Sequence, residues 1–170
     1  VLGDERLDLI VGASGARNSD EMERRGGVYI YRGVPGGFET QPSRTYFGDK
    51  GDDLLGYSVA VCDFNGDGYA DLAAGGINIE DEEDVDTQSN QGGIQLYAGS
   101  ANGLSLSPTQ YLWGQRLEPA TGGAEAIWVD ASGLNMGRLM KSADIDDDGR
   151  CDLVTASYGA KTASGRGSDG

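Results

Sequence analysis

The sequence has 170 residues, of which 38% are apolar, and a formal net charge of −15 from 28 acidic and 13 basic side chains. The apolar content permits a globular core, while the charge argues against binding to DNA, RNA or an anionic membrane surface, because phosphate contacts need basic patches. No apolar run approaches the roughly 20 residues of a membrane-spanning helix, so direct membrane insertion is not expected.

Glycine is the most unusual feature of the composition, with 29 glycines, no collagen-like period and only 4 prolines. Such glycine use favours many turns and close backbone contacts, and therefore an all-β fold over helices. The apolar segments are short, bounded by glycine and rich in β-branched or aromatic residues, which is typical of strands. In chain order they are LDLIVGAS from Leu7, GGVYIYRG from Gly26, GYSVAVCDF from Gly56, DLAAGG from Asp71, GGIQLYAG from Gly92 and CDLVTAS from Cys151.

An acidic loop, DFNGDGYAD, joins two of these strands and carries oxygen side chains at relative positions 1, 3, 5 and 9, with glycine at position 6. Oxygens spaced in this way can point into one cage, which suits Ca²⁺ because the ion takes about six to eight oxygen ligands. The cage would consist of Asp63, Asn65, Asp67, the backbone carbonyl of Tyr69, and Asp71. The same register recurs in DIDDDGRCD, with Asp144, Asp146, Asp148, Gly149 and Asp152.

Two other interpretations of the loops are weaker. An acidic β-turn, in which aspartate and asparagine only cap the backbone, does not require five matched positions in both loops. An EF-hand shares positions 1, 3, 5 and 6 but needs a bidentate glutamate at position 12, where this chain has Ala74 and Thr155. Flanking helices are not predicted either.

The strands form an internal repeat. Those that follow an acidic loop begin at Asp8, Asp71 and Asp152, with spacings of 63 and 81 residues, and the excess lies mainly between Gly99 and Gly137. Each unit is predicted to run strand, acidic loop, strand, variable loop, Gly-Gly strand and a weaker fourth strand. Four antiparallel strands repeated in this way fit a β-propeller blade, whereas a β-sandwich would not explain the repeated loop. The predicted units are 1–47, 48–113 and 114–170, the last with an insertion at about 114–136.

Two longer stretches carry a family resemblance. Phe47-Gly48 precedes GYSVAVCDFNGDGYADLAAGG, the partner stretch is GRLMKSADIDDDGRCDLVTAS, and in both a glycine stands 7 residues before the first loop aspartate. These stretches resemble FG-GAP repeats, also called VCBS-like repeats, of the integrin α-subunit β-propeller type. The resemblance covers nearly the whole chain. It implies calcium-binding blades of a secreted, periplasmic or cell-surface protein that adheres to protein or glycan partners.

The resemblance also implies the calcium ligands, position by position. They would be Asp63, Asn65, Asp67, Asp71 and the Tyr69 carbonyl in one blade, and Asp144, Asp146, Asp148, Asp152 and the Arg150 carbonyl in the next. The first unit departs from this pattern. Asp4 and Asp8 occupy positions 5 and 9, but Leu2 stands where a ligand belongs and Glu5 replaces the turn glycine. We therefore expect two Ca²⁺ sites and no calcium at this third, degenerate loop.

A closed propeller needs about four to eight blades, which three partial units do not supply. We therefore expect the 170 residues to be one incomplete propeller region. It would be a fragment of a longer chain, or a piece that packs against the rest of a propeller or against neighbouring subunits.

The acidic run from Glu80 to Asp86 is interpreted as a solvated loop, with a further cation or partner site as the alternative. Because it joins the second and third strands, we expect it on the face opposite the calcium loops, together with the insertion before Gly137. That face is the predicted partner surface. Trp113 and Trp128 are candidate anchors there, although core packing explains either tryptophan equally well.

The two cysteines, Cys62 and Cys151, could pair in an exported protein. Their different positions relative to the loops, in separate blades, favour buried free thiols instead. The chain has no histidine, which excludes His-based triads and imidazole metal sites. No catalytic residue is predicted.

The sequence therefore predicts a non-enzymatic, calcium-binding structural and adhesion module. Two alternatives remain open. One is the propeller or accessory portion of a carbohydrate-active enzyme, either a polysaccharide lyase or a hydrolase. The other is an architectural subunit of an extracellular fibre or coat, whose open blade edges pair with neighbouring chains.

Overall fold

The computed structural model describes residues 6–18, 23–80, 91–118, 127–130 and 134–157. These residues form strands, turns and bends, and within them no helix has the length and apolar character of a membrane span. The strands are β1 (Leu9–Ala13), β2 (Gly27–Tyr31), β3 (Gly33–Val34), β4 (Gly37–Phe38), β5 (Arg44–Phe47), β6 (Ser58–Cys62), β7 (Asp71–Gly76), β8 (Gly93–Tyr97), β9 (Gln110–Trp113), β10 (Gln115–Glu118), β11 (Ile127–Asp130), β12 (Leu139–Ala143) and β13 (Asp152–Ala156).

One complete four-stranded sheet has the order β6-β7-β8-β9, and every neighbouring pair is antiparallel. Its second strand, β7, is buried at all six residues. The small side chains of DLAAGG make this possible, because they let other parts of the chain approach both faces of the strand. The predicted unit of four antiparallel strands is confirmed in this sheet.

Partial versions of the same sheet lie before and after it. The first has three strands in the order β1-β2-β5, and the last has the pair β12-β13. Two hairpins interrupt this order along the chain. The β3-β4 hairpin lies between β2 and β5, and the β10-β11 hairpin lies between β9 and β12. The fold is therefore all-β, and its sheets correspond to partial β-propeller blades.

Two apolar clusters hold the sheets together. The first combines Val28 and Ile30 of β2 with Leu72 and Tyr97 of the four-stranded sheet, all essentially buried. The second combines residues of the four-stranded sheet with residues of the last pair, among them Ile94 and Met140. The sheets are thus stacked face to face in chain order, as blades of a propeller are.

Glycine allows the sheets to approach closely at repeated positions. A Cβ added at Gly12 would lie 3.1 Å from the carbonyl carbon of Gly56 and closer still to its oxygen. A Cβ added at Gly75 would lie 2.8 Å from the carbonyl carbon of Gly137, again with the oxygen nearer. Both sheet-to-sheet interfaces therefore contain an equivalent close contact between two glycines, which a larger side chain would not allow.

Buried polar groups complete the first interface. The Tyr97 hydroxyl donates to Gln95 Oε1 at 2.7 Å, and Gln95 Nε2 donates to Asp49 Oδ2 at 2.8 Å. Burial raises the pKa of the Tyr97 hydroxyl. Burial also raises the pKa of the Asp53 carboxyl to about 6, although its Oδ2 accepts the N–H of Lys50. The buried Tyr97, Gln95 and Asp53 side chains thus each have a hydrogen-bond partner, as buried polar groups usually do.

Cys62 and Cys151 form a disulfide, with Cα atoms 6.0 Å apart and a sequence separation of 89. The prediction of two buried free thiols is therefore wrong. That prediction considered only the position of each cysteine within its own repeat. Stacking of the sheets, however, brings the start of the first loop beside the end of the second. Cysteines at different repeat positions thus come within bonding distance of each other.

The strand pairing defines two ends of the four-stranded sheet. Cys62 pairs with Asp71 at one end, where the first acidic loop connects β6 to β7. Gly93 pairs with both Gly76 and Trp113 at the other end. The segments that follow β7 and β9 therefore leave the sheet opposite the acidic loop. The acidic run after Glu80 begins in the first of these segments, and its residues 81–86 lie outside the described part of the chain.

The structure distinguishes the two tryptophans. Trp113 is half-buried against the first apolar cluster and stacks on Tyr111, with ring centroids 5.2 Å apart and planes 16° from parallel. Of the two roles predicted for it, core packing is therefore the one observed. Trp128 lies in β11 and pairs with Leu117, but its side chain is not part of the described structure.

Candidate functional site

The two acidic loops occupy equivalent places in their sheets. The first connects β6 to β7, and the second connects β12 to β13. In each loop, the aspartate at position 9 begins the second strand and pairs with the last residue of the first strand, as Cys62 with Asp71 and Ala143 with Asp152. Both loops are thus closed at their base by an antiparallel pair.

In the first loop, the position 1 aspartate organises the backbone. Asp63 Oδ1 accepts the N–H groups of Gly66 and Asp67 at 2.7 and 3.1 Å, and Asp63 Oδ2 accepts the N–H of Gly68 at 2.8 Å. Asp67 Oδ1 accepts the N–H of Tyr69 at 2.9 Å. The side chains therefore turn the loop inward around a shared centre.

Asn65 has the same role at position 3. Its Oδ1 accepts the N–H of Asp67 at 2.8 Å, and its Nδ2 donates to Asp67 Oδ2 at 3.1 Å. Hydrogen bonds consequently link positions 1, 3 and 5, although Asn65 and Asp67 are exposed and only Asp63 is partly buried.

The second loop repeats this bonding scheme. Asp144 accepts the N–H groups of Asp148 and Gly149 at 3.1 and 2.9 Å. Asp146 Oδ1 accepts the N–H of Asp148 at 3.3 Å, and Asp148 Oδ1 accepts the N–H of Arg150 at 2.8 Å. Two stretches 81 residues apart therefore fold into the same structure, which follows from their shared oxygen and glycine positions.

Both loops contain two left-handed backbone positions. At position 6, Gly68 and Gly149 have φ values of 88° and 85°, which glycine adopts at the least cost. At position 4, Gly66 has a φ of 75°, whereas the second loop places Asp147 there with a φ of 58°. Aspartate is one of the few other residues that tolerate this region.

The position 9 aspartate is the most firmly held. Asp71 is only 4% exposed, and its two oxygens accept the N–H groups of Phe64 and Gly99 at 2.9 and 2.7 Å. In the second loop, Asp152 Oδ2 accepts the N–H of Ile145 at 2.8 Å. Position 9 thus joins the start of the loop to its end.

The bond from Gly99 is a feature that sequence reasoning missed. The first sheet contains an equivalent bond. There Asp8 stands in the place of Asp71, and Asp8 Oδ1 accepts the N–H of Gly33 at 3.1 Å. A sequence signal for this contact exists, since Tyr31-Arg32-Gly33 and Tyr97-Ala98-Gly99 both read Tyr-x-Gly. The predicted degenerate loop therefore keeps the structural bond of its position 9, while Asp4 lies outside the described residues.

The second loop gathers carboxylates closely enough to fit a single cation. Oxygens of Asp144, Asp146 and Asp152 all lie within 4.8 Å of one another. Two oxygens bound to the same Ca²⁺ at about 2.3–2.6 Å can be no more than about 5 Å apart, so one ion could reach all three. Asp148 is not in this cluster, and within the described chain the aspartates of the first loop are not gathered as closely.

The donor chemistry of both loops also fits a hard cation. The predicted side-chain ligands are carboxylate and amide oxygens, which Ca²⁺ prefers, and neither loop contains histidine. Several negative charges within a nine-residue loop repel one another, and a bound cation would relieve that repulsion. The residues present therefore fit Ca²⁺.

A family model and several curated proteins match this chain. The FG-GAP-like repeat model matches residues 1–74, which include the whole first acidic loop. Mouse integrin alpha-IIb is 29% identical over 165 residues, which is 94% of this chain. Human integrin alpha-6 is 32% identical over 108 residues, which is 63% of this chain. Residues 1–74 therefore belong to the FG-GAP-like repeats, and the chain as a whole is similar to integrin alpha subunits.

A relative of another kind also matches this chain. Mouse phosphatidylinositol-glycan-specific phospholipase D is 30% identical over 156 residues, which is 88% of the chain. The aligned region is 14% of integrin alpha-IIb, 8% of integrin alpha-6 and 16% of the phospholipase. The chain thus spans less than a fifth of the length of each of these relatives.

Proposed function

We propose that the chain is a calcium-binding structural and adhesion module that presents a binding face to a protein or glycan partner. The observation that carries this proposal is the second loop, where oxygens of Asp144, Asp146 and Asp152 lie within 4.8 Å of one another. The repetition of the same backbone scheme in the first loop supports a second, equivalent site.

The proposed ligands are Asp63, Asn65, Asp67, Asp71 and the Tyr69 carbonyl in the first loop, and Asp144, Asp146, Asp148, Asp152 and the Arg150 carbonyl in the second. A bound Ca²⁺ would supply a fixed positive charge between the two strands that border each loop. The aspartates at positions 1 and 5 are already oriented by backbone N–H groups. In the second loop, Asp144 already belongs to the carboxylate cluster, whereas Asp148 would have to move toward it to bind. We propose no calcium at Asp4 and Asp8.

We place the partner surface at the opposite end of the sheets. The segments that follow Gly76 and Trp113 both leave the four-stranded sheet there, away from the first acidic loop. Loops carried by a rigid scaffold are common binding elements. In this proposal the acidic loops stiffen the blades and the opposite loops make the contact, so no catalytic role is assigned.

A secreted, periplasmic or cell-surface location fits this function. The Cys62–Cys151 disulfide supports an oxidising compartment. The similarity to integrin alpha subunits supports an adhesive role with protein partners. We propose that the units 1–47, 48–113 and 114–170 are successive blades, which the order of the sheets supports, and that they associate with the rest of a propeller or with neighbouring subunits.

A second candidate function is an accessory region beside a catalytic domain. The observation that favours it is the match to phosphatidylinositol-glycan-specific phospholipase D over 88% of this chain. In that case the blades would support or position an enzyme without contributing catalytic residues. Activity of the protein on a glycan or a glycan-bearing lipid would distinguish this candidate from a purely adhesive module.

Calorimetric titration with calcium tests the ligand assignment. We expect the chelator-treated protein to bind two ions, and Asp67→Ala and Asp148→Ala to bind one each, because each substitution removes the position 5 ligand of one loop. Asp147→Gly is the matched control, since position 4 is glycine in the first loop and is not a proposed ligand. We expect this variant to keep both sites.

Three results would contradict the assignment. The unsubstituted protein could bind no calcium, Asp67→Ala or Asp148→Ala could keep both sites, or Asp147→Gly could lose one. Circular dichroism of each variant in EDTA checks that a lost site does not reflect a lost fold.

A further inference from the structure

The two acidic loops are joined to each other by the disulfide. Cys62 immediately precedes Asp63, the position 1 residue of the first loop, and Cys151 immediately precedes Asp152, the position 9 residue of the second. The bond therefore connects the beginning of one loop to the end of the other. Each half of the disulfide is a chain neighbour of a proposed cation ligand.

Further contacts link the loops around this bond. The N–H of Cys151 donates to the backbone oxygen of Asp63 at 3.4 Å. A Cβ built on Gly66 would lie 3.1 Å from Arg150 Nε, so the Arg150 side chain lies over the first loop. Ser142 Oγ, on the strand that leads into the second loop, donates to the oxygen of Val61 at 3.4 Å. The two loops thus share one interface instead of behaving as separate turns.

We propose that the Cys62–Cys151 disulfide is a positioning element for both cation sites, so that the two loops bind calcium as a coupled, redox-dependent pair. This inference rests on the proposed calcium-binding function. The bond restricts the backbone on which Asp63 and Asp152 are mounted. A ligand set that is already ordered loses less conformational freedom when it binds, and therefore binds more tightly. Ordering of one loop is passed to the other through the bond.

The redox step is a simple exchange. A dithiol such as dithiothreitol donates two electrons and two protons to the Cys62 and Cys151 sulfurs, which become two thiols, while the reagent closes to its own cyclic disulfide. Cleavage leaves the sequence of both loops unchanged. Any change in calcium affinity would then come from the lost positioning of the loops.

The decisive experiment is a calcium titration of the oxidised protein, the dithiothreitol-reduced protein and the double variant Cys62→Ser/Cys151→Ser. We expect calcium affinity at both loops to fall by about tenfold in the last two forms, within the usual range of coupling between sites. Repeating the titrations in the Asp67→Ala and Asp148→Ala backgrounds assigns the loss to each loop. A disulfide that only stabilises the fold would leave both affinities unchanged.

A reciprocal measurement keeps the inference testable should the double variant fail to fold. Because coupling is reciprocal, saturating calcium should shift the dithiol–disulfide equilibrium of the unsubstituted protein toward the disulfide by the product of the affinity losses at the two sites, which is about a hundredfold for a tenfold loss at each. An equilibrium that calcium does not move would overturn the coupling.

The outcomes also separate this inference from the proposed function. Equal calcium affinities in the oxidised and reduced protein would overturn the coupling and leave the calcium sites in place. No calcium binding in any form would overturn the proposed function and the coupling with it. Weaker binding at both loops after reduction supports both.

Discussion

Gly75→Ala is expected to destabilise the folded chain by about 3 kcal/mol or more, at the upper end of the range for an overpacked core. The new methyl group would press on the Gly137 carbonyl group, whose carbon lies only 2.8 Å from the added Cβ position. That carbonyl cannot easily retreat, because its oxygen accepts a hydrogen bond from Ser58 Oγ at 2.6 Å. The contact is also part of the interface between the four-stranded sheet and the last pair, so the clash would separate whole sheets.

Gly15→Ala is the matched control, because a Cβ at Gly15 would meet nothing within 4 Å. We expect its effect to stay below about 0.5 kcal/mol, as for most exposed substitutions. The third sheet carries Ala156 at the register position of Gly75, and that alanine is exposed. Urea unfolding of both variants makes the comparison. Equal midpoints for Gly75→Ala and the unsubstituted protein would show that the sheets are not packed in this way.

Asp71→Asn is expected to destabilise the protein by about 2–3 kcal/mol even when calcium is removed. Both oxygens of the buried Asp71 accept backbone N–H groups, from Phe64 and from Gly99. An asparagine has one oxygen, so its NH₂ group would face the second N–H and leave a buried donor unsatisfied. The measurement is chemical unfolding in EDTA, which isolates the hydrogen bonds from any contribution of the cation.

Asp152→Asn is the comparison, since it changes the same loop position in a more exposed setting. We expect Asp152→Asn to lose less stability than Asp71→Asn in EDTA. A clear loss of stability for Asp152→Asn is expected only in calcium, where each variant weakens a cation ligand. If Asp71→Asn were as stable as the unsubstituted protein in EDTA, the position 9 aspartate would serve the cation alone. The structural bonds to Phe64 and Gly99 would then be unimportant.

Local sequence patterns predicted the loops well because their structure is set by neighbours in the chain. The side-chain hydrogen bonds of Asp63 and Asp144 span no more than five residues, and glycine or aspartate occupies every left-handed position of the two loops. The strands could also be predicted from the sequence, because apolar segments of five or six residues that are bounded by glycine are typical of β-strands. The propeller-type repeat followed from these two features.

Contacts between distant segments could not be predicted in this way. The pairing of Cys62 with Cys151 depends on the offset between stacked sheets, which no spacing within one loop reveals. The bond from Gly99 to Asp71 spans 28 residues and became recognisable only after the structure aligned it with the bond from Gly33 to Asp8. Trp113 was ambiguous because an aromatic residue at the end of a strand can face either the core or a partner.

Thermal unfolding with and without calcium tests the two cation sites most directly. A ligand that binds only the folded state stabilises it by RT ln(1 + [L]/Kd), which is about 2.7 kcal/mol per site at a hundredfold excess over Kd. For a chain of this size we expect the melting temperature in millimolar calcium to exceed that in EDTA by at least about 5 °C. Magnesium at the same concentration should have a smaller effect, because it demands a tighter octahedral shell. Equal melting temperatures in EDTA and in calcium would contradict calcium binding by these loops.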